Sequence, residues 1–263
     1  MRPRTQASLA VTADGENWVL INASPDLPQQ IRQSKALHPC SGTRGSPIKS
    51  VLLTGAEIDQ IAGLLSLRER QPFALIATAA SLDALAGNPV FNVLAPELVA
   101  RRAAAPGEPL ALAGGLQAEL FSAPGKVPLY LEGSPVETAG ETNVGIEISA
   151  GNARIAYVPA AAAVTPAMME RLARADVVFF DGTLFRDDEM VRTGAGTKTG
   201  RRMGHMPIDG DQGSLAALAS IAARRIFVHI NNTNPILVDG SPERTHVERS
   251  GWEIAEDGME IVL

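Results

Sequence analysis

Three apolar runs in this chain each end in side chains able to bind a metal ion or move a proton. Ile48 to Leu53 stops at Thr54-Gly55, and the apolar spacing then turns helical through Ile58, Ile61, Ala62, Leu64 and Leu65. Glu57 and Asp59 fall at that strand-to-helix junction, where carboxylates in α/β folds can serve a metal or a substrate. They could equally complement the positive end of the helix dipole. Val177 to Phe180 ends in Asp181, followed by Gly182-Thr183, so Asp181 reads as a metal ligand at a strand end or as a turn aspartate. Ile226 to Val228 runs into His229 and then Asn231-Asn232-Thr233-Asn234-Pro235. A histidine there makes little sense as packing. Asn231, Asn232 and Asn234 can lock the loop by Asx turns, orient the histidine or bind substrate. His205 lies in Met203-Gly204-His205-Met206-Pro207 and reads as a ligand, an acid/base group or a structural loop histidine. A set of carboxylates and histidines suits Fe(II), Mn or Zn.

The elements that would position these groups follow from apolar periodicity and turn residues. Residues 8–11 and 18–21 form a hairpin around Asp14-Gly15, and a helix follows from Leu27 to Ser34. A loop covers 39–47. Strand 48–53, helix 58–70, strand 73–78 and helix 79–86 come next, then a helix over 96–102. A ribbon turns at Gly114-Gly115, a short strand covers 129–131, and strands 144–149 and 153–158 pair across Gly151-Asn152. Thr165 and Pro166 start a helix reaching Arg174. Residues 187–213 are polar and glycine-rich. They lack phosphate-loop spacing and read as a lid over a site. An alanine-rich helix over 212–223, the strand ending near His229, a polar helix carrying a surface His246 and a terminal hairpin complete the chain. The alternation fits two mixed sheets between helices, or one doubly wound sheet.

The 263 residues are enough for a sizeable core, with 45% hydrophobic and 20% charged residues. A net charge of -6 argues against nucleic acid, which calls for a basic stripe. Cys40 is the single cysteine, compatible with a reducing cytoplasm. The N-terminal residues lack a signal-peptide apolar core, and no run is long enough to span a membrane.

Leu-Thr-x-x-x-x-Asp-x-x-x-Gly-Leu resembles the metal-binding turn of the metallo-β-lactamase superfamily, His-x-His-x-Asp-His followed by a helix. Gly55 and Glu57 stand at its first two histidines, Asp59 at its aspartate and Gln60 at its last histidine. A closer resemblance runs over essentially the whole chain. Arg-Pro-Arg-Thr-Gln at 2–6, Asn-Ala-Ser-Pro-Asp at 22–26, Gly-Leu-Leu-x-Leu-Arg-Glu at 63–69, Pro-Gly-Lys-Val-Pro-Leu at 124–129, Phe-Asp-Gly-Thr at 180–183, Thr-Lys-Thr-Gly-x-Arg-Met-Gly-His at 197–205 and His-Ile-Asn-Asn-Thr-Asn-Pro at 229–235 are similar to the PqqB family of pyrroloquinoline quinone (PQQ) synthesis proteins.

That resemblance implies a single domain over 1–263 with the metallo-β-lactamase αββα sandwich of two mixed sheets. It implies an Fe(II)- and O2-dependent hydroxylase acting on the tyrosine ring of a cross-linked Glu-Tyr intermediate, a small peptide-derived substrate. Zn is the alternative metal. The implied metal ligands are Asp59, Asp181 and His229, with His205 beside them and both histidines in catalytic roles. From charge alone, Lys126, Lys198 and Arg202 would pair with substrate carboxylates. Gln60 would be a weaker ligand than histidine. The family's Gly-rich first strand and its cysteine-bound structural zinc are not found in this chain, so the expected fold lacks that strand, exposing a sheet edge. Two other functions stay open: a carrier for PQQ or its precursor without turnover, and a metal-dependent hydrolase. A homodimer is compatible with the resemblance.

Overall fold

The structure, a computed structural model, describes residues 2–40, 42, 45–132 and 141–263. The loop expected over 39–47 includes residues 41, 43 and 44, which lie outside the described residues. The chain opens with strands β1 (Leu9–Val11) and β2 (Trp18–Ile21), helix α1 (Leu27–Gln33), strand β3 (Ile48–Leu52) and helix α2 (Ile58–Ile61). Strand β4 (Phe73–Ala77), helix α3 (Ala79–Ala86) and strands β5 (Val99–Ala103), β6 (Pro109–Ala111), β7 (Gln117–Ser122), β8 (Val144–Ala150) and β9 (Ala153–Val158) follow. Then come helix α4 (Pro166–Leu172), strand β10 (Val177–Asp181), helices α5 (Glu189–Arg192) and α6 (Ser214–Ala217), strand β11 (Arg224–Val228), helix α7 (Pro242–Arg249) and strand β12 (Trp252–Ile254).

Two mixed sheets result. One has the order β1-β2-β3-β4-β5, with β1 antiparallel at its edge and the rest parallel. The other has the order β12-β11-β10-β9-β8-β7-β6, parallel from β12 to β9 and antiparallel beyond. The period-two alternation of each buried strand sorts its side chains between two cores. Val19 and Ile21 of β2, Val177 and Phe179 of β10, and Ile226 and Val228 of β11 fill the core between the sheets. Leu20 points instead toward the helices flanking the first sheet. Val178, Phe180 and Phe227 point toward the helices flanking the second. The layers are therefore helix, sheet, sheet, helix, as the resemblance implied. No helix among the described residues is long and apolar enough to cross a membrane.

Several expected elements differ. The helix expected over 58–70 is one α turn, α2, followed by a 3-10 stretch at Ala62–Leu67. There Gly63 is drawn against the loop after β2: its N–H donates to Ala23 O at 2.8 Å, and Ala23 N–H donates to Gln60 O at 2.7 Å. The segment expected to be helical at 96–102 is instead β5, which pairs in parallel with β4. Four of its five residues are exposed, so no alternation marks it. The strand expected at 129–131 is a 3-10 turn, and the helix expected over 212–223 shrinks to α6. The expected terminal hairpin is the single strand β12, parallel to β11. Trp252 drives that pairing by stacking on Phe227 with ring centroids 4.1 Å apart.

A Cβ at position 63 would sit 2.1 Å from Ser24 O and 2.8 Å from both Ala23 O and the Leu27 Cβ. We expect Gly63→Ala to destabilise the protein by ~1–3 kcal/mol through overpacking. Denaturant unfolding checks this; an unchanged midpoint would contradict the clasp between α2 and the loop after β2.

Candidate metal centre

The parallel strands β2, β3, β10 and β11 deliver their C-terminal ends to one edge of the sandwich. At the end of β2, Asn22 adopts the left-handed conformation, φ 61°. Its side chain ties β2 to β3: Thr54 N–H donates to Asn22 Oδ1 at 2.9 Å, and Asn22 Nδ2 donates to Thr54 Oγ1 at 2.8 Å. This holds the turn from which Asp59 projects.

On the other sheet, β10 and β11 pair so that Asp181 lies opposite Val228. His229 comes one residue later, also left-handed, φ 54°. The turns beyond the two strands interlock. Gly182 N–H donates to Val228 O at 2.8 Å and Asn231 N–H to Thr183 O at 3.1 Å. A Cβ on Gly182 would lie 2.9 Å from the Phe227 Cβ, so only glycine permits this approach. Asn234, 1% exposed, donates from Nδ2 to Gly182 O at 2.8 Å and accepts from Ile236 N–H at 3.1 Å. Asn231 donates to Thr233 Oγ1 at 2.9 Å. These two amides are engaged within the loop, whereas Asn232 is exposed.

The site draws from both sheets. His229 Nε2 lies 2.8 Å from Asp59 Oδ2, and His229 Nδ1 lies 2.7 Å from Thr183 Oγ1. His205 Nδ1 lies 2.7 Å from Asp181 Oδ2, and the two imidazoles stack with centroids 5.2 Å apart. Asp181 is fully buried and accepts hydrogen bonds from Ala161 N–H at 3.0 Å, Thr183 N–H at 3.0 Å and Thr183 Oγ1 at 2.6 Å. Ligating atoms of Asp181, His205 and His229 all lie within 4.8 Å of one another, with Asp59 facing His229 from the opposite sheet. Asp59, Asp181, His205 and His229 are thus gathered. This mixed oxygen and nitrogen donor set fits a divalent transition metal.

Burial would raise the Asp59 carboxyl, but the hydrogen bond and charge of His229 outweigh it and hold Asp59 below its ordinary value. Asp181 is likewise low: burial pushes it up, while His205, His229 and Thr183 pull it further down. Burial would lower His229, yet Asp59, Asp181 and Glu57 raise it above the ordinary histidine value. Burial and the Asp59 charge raise Glu57.

Gln60 and Glu57 turn out to have a structural task. They form a reciprocal capping box at the start of α2, in which Glu57 N–H donates to Gln60 Oε1 at 3.2 Å. The amide oxygen considered as a weak ligand is thereby committed to the helix. Lys126 and Lys198 both engage Glu132: Lys126 forms an ion pair with it, and Lys198 Nζ lies 3.3 and 3.4 Å from its carboxylate oxygens. Partial burial and the Lys198 ammonium push Lys126 down, with Arg202 adding to the effect. The backbone nitrogen and Cβ of Lys126 lie against Gly204, the residue before His205, and the Lys126 charge acts on Glu57 at the edge of the site. Arg202 is exposed beside it. His246 remains half-exposed on α7, away from this cluster, with Asp209 at 3.7 Å. Sequence reasoning passed over Thr183; its only signal is a hydroxyl two residues after a strand-end aspartate.

The shifts set the pH behaviour of the metal-free protein. A raised His229 contributes stability that is complete below its unfolded value, about 6.5, and is lost as pH rises through the higher folded value. A lowered Asp59 contributes stability present above its unfolded value, about 4, and lost as pH falls through the lower folded one. Thermal melts of metal-free wild type and Asp59→Asn should therefore differ most between about pH 4 and 6.5 and converge as pH rises through the folded His229 value. A difference that grew with pH would contradict the charged pair.

A family model, the Beta-lactamase superfamily domain, matches residues 17–230. Coenzyme PQQ synthesis protein B of Methylobacterium sp. (strain 4-46) is 55% identical over 266 residues, spanning 100% of this chain and 89% of that protein. Its counterpart in Ruegeria pomeroyi is 53% identical over 265 residues, spanning 100% and 90%. Among solved structures, the 1.98-angstrom crystal structure of Zn(2+)-bound PqqB from Methylobacterium extorquens superposes with a TM-score of 0.96 at 51% identity, covering 100% of this chain and 89% of that one. A diphosphatase of the PhnP family, 20% identical with a TM-score of 0.68, shares the fold. The chain belongs to the coenzyme PQQ synthesis protein B family of the beta-lactamase superfamily.

Proposed function

We propose that this protein is an Fe(II)- and O2-dependent hydroxylase of PQQ biosynthesis, acting in the cytoplasm on the tyrosine ring of a cross-linked Glu-Tyr intermediate. The observation that carries this reading is the meeting of Asp59, from the helix after β3, with His229, Asp181 and His205 at and beyond the strand ends of the other sheet. A relative at 51% identity is Zn(2+)-bound, which supports metal binding in this family, and the donor set described above supports it at this site. Asp59, Asp181 and His229 would hold the ion, and iron bound there would supply the activation of dioxygen that ring hydroxylation requires.

The protein's own groups have distinct tasks. Asp181 is kept anionic by Ala161 N–H, Thr183 and His205, so it offers a fixed negative charge at the back of the site. His205 commits Nδ1 to Asp181, which leaves Nε2 to take up or deliver a proton of the substrate phenol. Lys126, Lys198 and Arg202 bind the substrate carboxylates, which displace Glu132 from the two lysines. Asn231 and Asn234 hold the loop that carries His229, and exposed Asn232 is the member of the trio able to meet substrate. The histidine pattern of the superfamily's dizinc hydrolases is replaced here by Gly55, Glu57 and Gln60, with the last two committed to capping α2.

Anaerobic Fe(II) loading followed by elemental analysis should give about one iron per chain, lost in His229→Ala. Incubation of the loaded protein with the Glu-Tyr intermediate should yield a catechol only when O2 is admitted. Iron retained equally by His229→Ala, or no product from the loaded wild type, would sink the reading. For Lys198→Ala, KM should rise roughly tenfold or more with kcat little changed, as for a lost charge-assisted contact. A fall in kcat alone would place Lys198 elsewhere in the reaction.

A further inference from the structure

Thr183 lies at the centre of the site and has no task in the reading above beyond its bond to Asp181. Four atoms crowd its hydroxyl: Asp181 Oδ1 at 2.6 Å, His229 Nδ1 at 2.7 Å, the His229 carbonyl oxygen at 2.9 Å and His205 Nδ1 at 3.1 Å. A threonine hydroxyl has one proton to donate. Asp181 Oδ1, as an ionised carboxylate, and the carbonyl oxygen can only accept, and both lie within reach of that proton. Whichever takes it, none remains for an imidazole. Toward both histidines the Thr183 oxygen can therefore only accept, so each Nδ1 must bear hydrogen. Asp181 Oδ2, an acceptor 2.7 Å from His205 Nδ1, enforces the same choice there.

We infer that Thr183 is a positioning residue whose hydroxyl fixes His205 and His229 as Nδ1–H tautomers. His229 is thereby committed to present Nε2, the nitrogen facing Asp59, to a metal. The same hydroxyl lies 2.9 Å from the carbonyl oxygen of His229, so it sits against the left-handed backbone, one few side chains tolerate, that carries the ring. A group that orients a ligand histidine through its other nitrogen controls metal affinity without touching the metal. The inference rests on the metal-centre part of the proposed function and is independent of the reaction.

The test uses the full chain and Zn(II) as probe. Two-bond proton–nitrogen NMR correlations of histidine-labelled protein report which nitrogen of His229 carries hydrogen and which binds zinc. Chelator competition reports the affinity. Wild type and Thr183→Ser should both show Nδ1–H with zinc at Nε2, and should bind within a few-fold of each other. Thr183→Val keeps the shape and loses the hydroxyl. It should bind zinc roughly 10–100-fold more weakly, with a mixed His229 tautomer. Zinc at Nδ1 of His229 in the wild type would overturn the assignment, whether or not the valine variant folds. So would a folded Thr183→Val with wild-type affinity and an unchanged tautomer, although the metal centre would then stand. Zinc uptake that leaves the His229 resonances untouched would overturn both the assignment and the metal centre. The hydroxylase reading can fail on its product assay with the tautomer result intact.

Discussion

Parallel pairing of β10 with β11 sets Asp181 opposite Val228, and the site's geometry follows from that register. Side chains alternate along a strand, so a slip of one residue would turn Asp181 from the site toward an apolar face. The buried residues prevent the slip. Phe179, Ile226 and Val228 pack between the sheets while Phe180 and Phe227 pack against the outer helices. The turns beyond the strands add backbone bonds in the same register, and Gly182 allows them to approach. A polar site thus inherits its precision from apolar packing one or two residues away.

Burial at this edge works both for and against charge. It raises the cost of every ionised group, and the low Asp59 and Asp181 carboxyls and the raised His229 show that pairing outweighs that cost. Each acid faces an imidazole, and Asp181 also receives backbone and hydroxyl donors. A metal entering between Asp59 and His229 would meet a proton already held there. Metal binding and proton release would therefore be one event in this site.

Much of this was legible in the sequence, for identifiable reasons. Strand β10 is buried throughout and β11 is buried over Ile226 to Val228, so each reads as an apolar run into its end, and the residues there, Asp181 and His229, stood out. Strand β5 is exposed at four of five positions and gave no such signal. The expected helix over 58–70 failed because apolar spacing does not reveal that Gly63 must fit against Ser24, far back in the chain. Thr183 was invisible for the same reason, since its hydroxyl matters only once His229 is folded beside it. Glu57 and Gln60, three apart, do carry a capping signature, but expected ligand positions drew the reading elsewhere. The lysines were found by charge, whereas their shared partner Glu132 depends on a turn that read as a strand.

Asp59 and His229 are 170 residues apart in sequence and follow strands of different sheets, with the apolar core between those sheets behind them. Any ion held by both would act as a cross-link closing a very long loop, and closing a long loop removes more freedom from the unfolded chain than closing a short one. The two layers of the sandwich could then no longer separate at that edge without first giving up the ion. Occupancy of the site and cohesion of the sandwich would become a single variable, read equally well from either end.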